Sequence, residues 1–180
     1  MSDRIHTFWG RRYRALYEHL KGTTFFKDPA SARYHCNYEG GLYEHSLNVE
    51  NELHYLTNNL KLEWSDPESP FIIGLAHDVC KIGAYIPNGS GGYVYNINQP
   101  DGHGDLSVKR VKEWIELTEE EEACIRWHMG PYVDGDVLDE GKKAIQEQWN
   151  GYNEAIHRFP NVLFTHTADM MATHIVEVDK

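Results

Sequence analysis

The sequence predicts an all-α fold carrying one short β excursion. Three observations predict it. Apolar residues recur at helical spacing in several segments, one of which is apolar on every side. Thr118 and Glu121 make a capping box that opens a helix. Strict alternation is confined to Tyr93-Val94-Tyr95-Asn96-Ile97, bracketed by Asn88-Gly89-Ser90-Gly91-Gly92 and Asn98-Gln99-Pro100-Asp101-Gly102, and reads as a small hairpin or ordered loop.

In chain order, residues 7–20 form the first expected helix. Leu42 to Leu60 form the second, with Val49, Leu53, Leu56 and Leu60 on one stripe. Residues 67–80 form the third, where Phe71, Ile72, Ile73, Leu75, Ala76 and Val79 cover all sides, so it is expected at the centre. Asp105 to Leu117 form the fourth, with Val108, Val111, Trp114 and Ile115 inward. The fifth starts after Thr118 and ends at Gly130-Pro131, and a polar break runs from Tyr132 to Gly141. Glu140 to Ile156 and Asn161 to Val176 complete a bundle of about seven helices.

The chain of 180 residues, 41% hydrophobic and 25% charged, matches one globular domain spanning 1–180. Its 28 acidic against 17 basic residues give a net charge of -11, which repels long duplex nucleic acid and anionic membranes but allows a small anion at a local positive site. Cys36, Cys80 and Cys124 are scattered and odd in number, which argues against a disulfide framework. The opening Met1-Ser2-Asp3-Arg4-Ile5-His6 has no apolar leader, and no apolar run is long enough to span a bilayer, so a cytoplasmic protein is expected. The aromatic content, with eleven tyrosines and five tryptophans, leaves room for a homo-oligomer.

Eleven histidines are the unusual feature. His45 precedes Val49 by four and Leu53 by eight, so it points with the apolar stripe into the core. His77 and Asp78 sit in the segment that is apolar all round, where an ionised carboxylate needs compensation. Asp169 shares a face with Val162, Ala172 and Val176. His128 follows Cys124 by four, and His103 lies in Gly102-His103-Gly104 before the fourth helix. A single inward histidine is ordinarily a hydrogen-bonded core residue. Two acids and several imidazoles converging from separate helices are instead a set that neutralises a divalent cation. Adjacent helical residues lie about 100° apart, so His77 and Asp78 can both ligate only in a site cupped around their helix.

The ordered set His45, His77-Asp78, Asp169 resembles the H…HD…D pattern of the HD-domain metal-dependent phosphohydrolases. Its flanks are similar too: Tyr34 to Ser46 before the first histidine, Ala76 to Gly83 around the HD pair with its trailing lysine, and Ala168-Asp169 at the close. The likeness covers roughly Arg33 to Ala172. It implies that His45, His77, Asp78 and Asp169 hold one divalent metal, which can be manganese, magnesium, iron, nickel or zinc. The family has a dinuclear branch, and His103 and His128 fall where the ligands of a second metal would be. Met129 stands where some members carry a further histidine, so a mononuclear site and a second site completed by water both stay open.

Hydrolysis of a phosphoester or phosphoanhydride of a small substrate, a nucleotide as first guess, is the activity the resemblance implies. Asp78 would orient the attacking water, and Lys81, one turn after His77, would contact phosphate as a point charge, although a solvated lysine at a helix end is an equal reading of spacing alone. Arg33 and His35, before Gly40-Gly41, and Tyr85, near a lid through Tyr93 and Tyr95, are candidate substrate contacts. His166, one turn before Asp169, is read as a partner of that acid or a core residue, and His6, His19, His54, His157 and His174 as structural or surface residues. Related alternatives are a 3′ exonuclease or a cyclic-nucleotide phosphodiesterase. A different class with nearly the same ligands is the HD-fold mixed-valent di-iron oxygenase that cleaves a C–P or C–C bond. A binding module without catalysis would ordinarily lack one of the four principal ligands, and all four are present.

Overall fold

The computed structural model describes residues 10–100, 102–131 and 141–178. The expected polar break, except for Gly141 at its far end, lies outside the described residues, as do the start of the first expected helix and His6. Seven α-helices and one two-stranded antiparallel sheet are found among the described residues: α1 (Arg11–Lys21), α2 (Gly41–Leu60), α3 (Ser69–Ala76), β1 (Tyr85–Pro87), β2 (Tyr93–Tyr95), α4 (His103–Lys112), α5 (Glu119–Arg126), α6 (Gly141–Arg158) and α7 (Asn161–Met171). None of these helices is long and apolar enough to cross a membrane.

The core forms where α2 packs on α3 and α7, while α5 packs on α4 and α7. Leu42, Val49 and Leu53 of α2 meet Ile72, Ile73 and Leu75 of α3 in a fully buried cluster. A helix pair this close needs a small residue at the crossing. Gly74 supplies it: a Cβ there would lie 2.6 Å from the Cα of Glu50. Gly104 plays the same part between α4 and α5, where a Cβ would lie 2.0 Å from the carbonyl oxygen of Arg126.

The capping box at Thr118 is formed as the sequence reads, and its carboxylate also ties three helices together. Buried Glu121 accepts from Thr118 N at 2.8 Å, from Arg12 of α1 at 2.7 and 2.9 Å, and from Ser69 Oγ of α3 at 2.8 Å. Each partner satisfies a lone pair that burial would otherwise leave costly.

The bounds of four expected helices and of the hairpin are corrected. The third helix does not run from 67 to 80; it stops at Ala76, Asp78 leaves helical geometry at φ -107° and ψ 18°, and a tight 3₁₀ turn follows over Val79–Lys81. Arg110 of α4 fixes that turn by donating to the carbonyl oxygens of Val79 and Cys80, both at 3.0 Å, and Ser107 Oγ accepts from Cys80 N at 3.0 Å. The fourth helix ends earlier, at Lys112, and the fifth at Arg126. The last helix gives way after Met171 to a wider π-helical turn, Ala172–Val176, and Val176 is exposed rather than on the buried face with Asp169. The hairpin pairs Tyr85 with Tyr95 and Pro87 with Tyr93, so its first strand lies at 85–87, ahead of the alternating stretch.

Candidate metal centre

α2, the end of α3, the residues after α5, and α7 deliver His45, His77-Asp78, His128 and Asp169 to one buried point. His45 Nε2 lies 3.2 Å from His77 Nε2, 3.4 Å from Asp78 Oδ2 and 3.3 Å from Asp169 Oδ1. His77 Nε2 lies 3.4 Å from the same Asp78 oxygen. The break after Ala76 is what makes this possible, because the backbone turns at Asp78 and swings its carboxylate in beside the imidazole of His77. The two residues therefore meet at a helix end and not around a continuous helix.

Hydrogen bonds at the far side of each ring set its tautomer. His77 Nδ1 donates to the carbonyl oxygen of Gly74 at 2.9 Å and His128 Nδ1 to that of Ile125 at 2.7 Å. His45 Nδ1 faces both carboxylate oxygens of Glu177 at 3.1 Å, and Asn48 Nδ2 donates to Glu177 at 2.7 Å. A neutral imidazole that donates from Nδ1 has its lone pair on Nε2. The Nε2 lone pairs of neutral His77 and His128, and that of His45 once its ring gives up a proton, thus point among two carboxylates, an arrangement that needs positive charge at its centre.

Protons supply part of that charge. Burial opposes protonation of His45, but hydrogen bonding to Asp169, Asp78 and Glu177 outweighs it and holds the ring well above the ordinary imidazole value. His77 is lowered, chiefly by burial. Burial would also raise the two acids, yet Lys81 and His77 pull Asp78 well below its ordinary value and the His45 hydrogen bond does the same for Asp169. Lys81 Nζ sits 2.7 Å from Asp78 Oδ2.

The donor set fits a cation. Asp78 Oδ1 and His128 Nε2 are both buried without a hydrogen-bond partner, at 3.4 Å from one another and out of line for a bond. Donors about 2.1 Å from a shared ion lie about 3.0 Å apart at right angles and about 3.4 Å apart at tetrahedral angles, the range seen around His45. Among the described residues, three groups of donors can hold an ion: His45, His77 and Asp78; Asp78, Cys80 and His103; and His35, His45 and Glu177.

The remaining sequence candidates divide. His35 lies against His45 with its ring tilted by 44° and the centroids 4.7 Å apart; its Nε2 is buried without a hydrogen bond, and burial lowers the ring to about 4. Tyr85 is half-buried with Lys81, Asp78 and Cys80 as electrostatic neighbours. Lys81 is buried, which corrects the reading of a solvated lysine. Arg33 is exposed and makes no hydrogen bond or ion pair among the described residues, so nothing ties its side chain to the cluster. His103 Nδ1 lies 2.9 Å from Cys80 Sγ. His166 bonds the backbone carbonyl oxygen of His128 at 2.7 Å, and so holds that segment instead of Asp169. His19, His157 and His174 are exposed, and His54 packs on Phe71.

Sequence reasoning missed Glu177, Asn48 and Cys80. Asn48 follows His45 by three on α2, which is a readable signal; Glu177 reaches His45 only through the π-helical turn. Comparison with protein-family models, curated proteins and solved structures finds no match for this chain. The buried His, Asp and Cys groups, which can hold a metal ion, are thus what speaks for its chemistry.

Proposed function

We propose that the chain is an HD-like, divalent-metal-dependent phosphohydrolase that cleaves a phosphoester or phosphoanhydride of a small substrate, a nucleotide first among them. One observation carries the reading: Nε2 of His77 and the carboxylates of Asp78 and Asp169 each lie 3.2–3.4 Å from Nε2 of His45, all four side chains buried. His45, His77, Asp78 and Asp169 would hold the ion. When bound, it supplies Lewis acidity to a phosphoryl oxygen and to water at neutral pH. Asp78 orients the attacking water by accepting its hydrogen bond. Lys81, beside Asp78, supplies fixed positive charge for the phosphate. His35 is neutral at physiological pH and offers an uncharged donor on the same rim. Tyr85, half-buried beside Lys81, would be a contact for the substrate.

A second reading draws on the division of Asp78, whose Oδ2 faces His45 and His77 while Oδ1 faces His128. A carboxylate so placed can bridge two ions, as a dinuclear hydrolase or a mixed-valent di-iron oxygenase of C–P or C–C bonds requires.

The deciding experiment incubates metal-loaded protein with nucleoside mono-, di-, tri- and cyclic phosphates and a short 3′-ended oligonucleotide, under air and without it. Phosphate or nucleoside release with manganese or magnesium in the absence of oxygen, lost in Asp78→Ala, is the expected result. Oxygen-dependent turnover with an iron EPR signal would replace it with the oxygenase reading, and no release with any ion would overturn the hydrolase.

A further inference from the structure

Beside Asp78 Oδ1, which faces away from His45 Nε2, two pairs of donors lie close together. His128 Nε2 faces Asp78 Oδ1 at 3.4 Å, and both atoms are buried and lack a hydrogen-bond partner. Cys80 Sγ and His103 Nδ1 are 2.9 Å apart. Asp78, Cys80 and His103 offer ligand atoms within 4.8 Å of one another, and the His103 and His128 rings are 5.9 Å apart between centroids.

A hydrogen bond from the Cys80 thiol to His103 explains half of this arrangement. It satisfies the sulfur and one imidazole nitrogen, but leaves Asp78 Oδ1 and His128 Nε2 buried without a hydrogen bond, with only the charge pairing between them at 3.4 Å. A divalent ion held by Asp78, Cys80 and His103 would answer both, with His128 Nε2 reaching it from beside Asp78 Oδ1. The backbone also holds the sulfur in place: Cys80 N donates to Ser107 Oγ, its carbonyl oxygen accepts from Arg110, and both partners lie on α4, which His103 begins. The 3₁₀ turn that presents Asp78 therefore presents Cys80 as well.

We propose that Cys80, His103, His128 and Oδ1 of Asp78 form a thiolate-containing cation site, which takes a borderline ion such as zinc or cobalt in preference to magnesium. It rests on the reading of the buried cluster as a metal centre, and adds to that reading a sulfur ligand that sets which ion is taken. Imidazole and thiolate favour zinc and cobalt, while magnesium favours oxygen ligands and keeps its waters. Binding breaks the S–H bond of Cys80, forms a sulfur–metal bond and releases one proton to solvent, with no change of oxidation state. Without an ion the thiol keeps that proton, because burial pushes it up to about 12.

Cobalt(II) titration of the full chain, stripped of metal, tests the site through the near-ultraviolet sulfur-to-cobalt charge-transfer band. The band should appear in the wild type and in Cys36→Ser, vanish in Cys80→Ser, and be accompanied there by at least a tenfold weaker binding of one cobalt equivalent. Zinc absorption spectroscopy of the wild type needs no variant, and should show a sulfur neighbour at about 2.3 Å. Cobalt bound with no sulfur band, a zinc shell of nitrogen and oxygen only, or a band that survives Cys80→Ser overturns the thiolate site and leaves the hydrolase reading standing. Failure to bind any divalent ion overturns both.

Discussion

Glu177 grips the imidazole of His45 through both carboxylate oxygens at 3.1 Å, across 132 residues of sequence. The acid is itself held by Asn48, and it lies at about 2, below its ordinary value, because its hydrogen bond to His45 and the charge of that ring outweigh burial. A carboxylate behind a ligating imidazole fixes the ring and raises its basicity. Glu177→Gln should therefore weaken metal binding by about 10–100-fold while leaving the helical content unchanged. Calorimetric titration with manganese or zinc checks it, and an affinity within about twofold of wild type would remove Glu177 from the centre.

Metal loading should stabilise the fold. A ligand that binds only the folded chain at 100 times its dissociation constant adds about 2.7 kcal/mol. For a chain of this size, that is a rise in Tm of roughly 5–10 °C. Thermal melts with and without chelator should show the rise in the wild type and none in Asp169→Ala, which loses a carboxylate 3.3 Å from His45.

Glu50 provides a pH dependence outside the cluster. Burial in α2, against Gly74 and Tyr13, raises its carboxyl from 4.5 to about 7. Between those values the folded state binds more protons than the unfolded one, so stability is full below pH 4.5 and falls as pH rises to about 7. The fall is roughly 3 kcal/mol at most. Urea unfolding of Glu50→Gln should show a weaker slope in that window than wild type, with greater stability at about pH 8; parallel curves would refute the assignment.

Arg110 holds the turn that carries Asp78 and Cys80. Its guanidinium donates to the carbonyl oxygens of Val79 and Cys80 and, at 2.9 Å, to Gln99. Arg110→Met keeps much of the stem packing but removes these bonds, and should cost roughly 2–3 kcal/mol. Denaturant titration measures the loss, and a change under about 0.5 kcal/mol would show that the turn holds itself.

Local patterns in the sequence carry much of this structure. The capping box depends on residues three apart, and the inward directions of His45 and Asp169 follow from apolar neighbours one and two turns away. The break at Asp78 is less legible because apolar residues continue through Val79, and what ends the helix includes Arg110 and Ser107 from a different element. β1 escapes for a similar reason: three residues ending in Pro87 carry no alternation of their own and become a strand by pairing with β2. Glu177 follows Asp169 by eight, a spacing that helical periodicity does not link to His45; only the widened turn after Met171 brings it there.

That widened turn also orders events during folding. The contact between α2 and the residues after α7 closes a loop of 132 residues, and such a contact carries a large entropic cost before any bond offsets it. A chain growing from its N-terminus has His45, His77 and Asp78 long before it has Glu177. If the cluster holds an ion as proposed, capture at full strength would come late, and a captured ion would report that the early and late helices of the bundle have met.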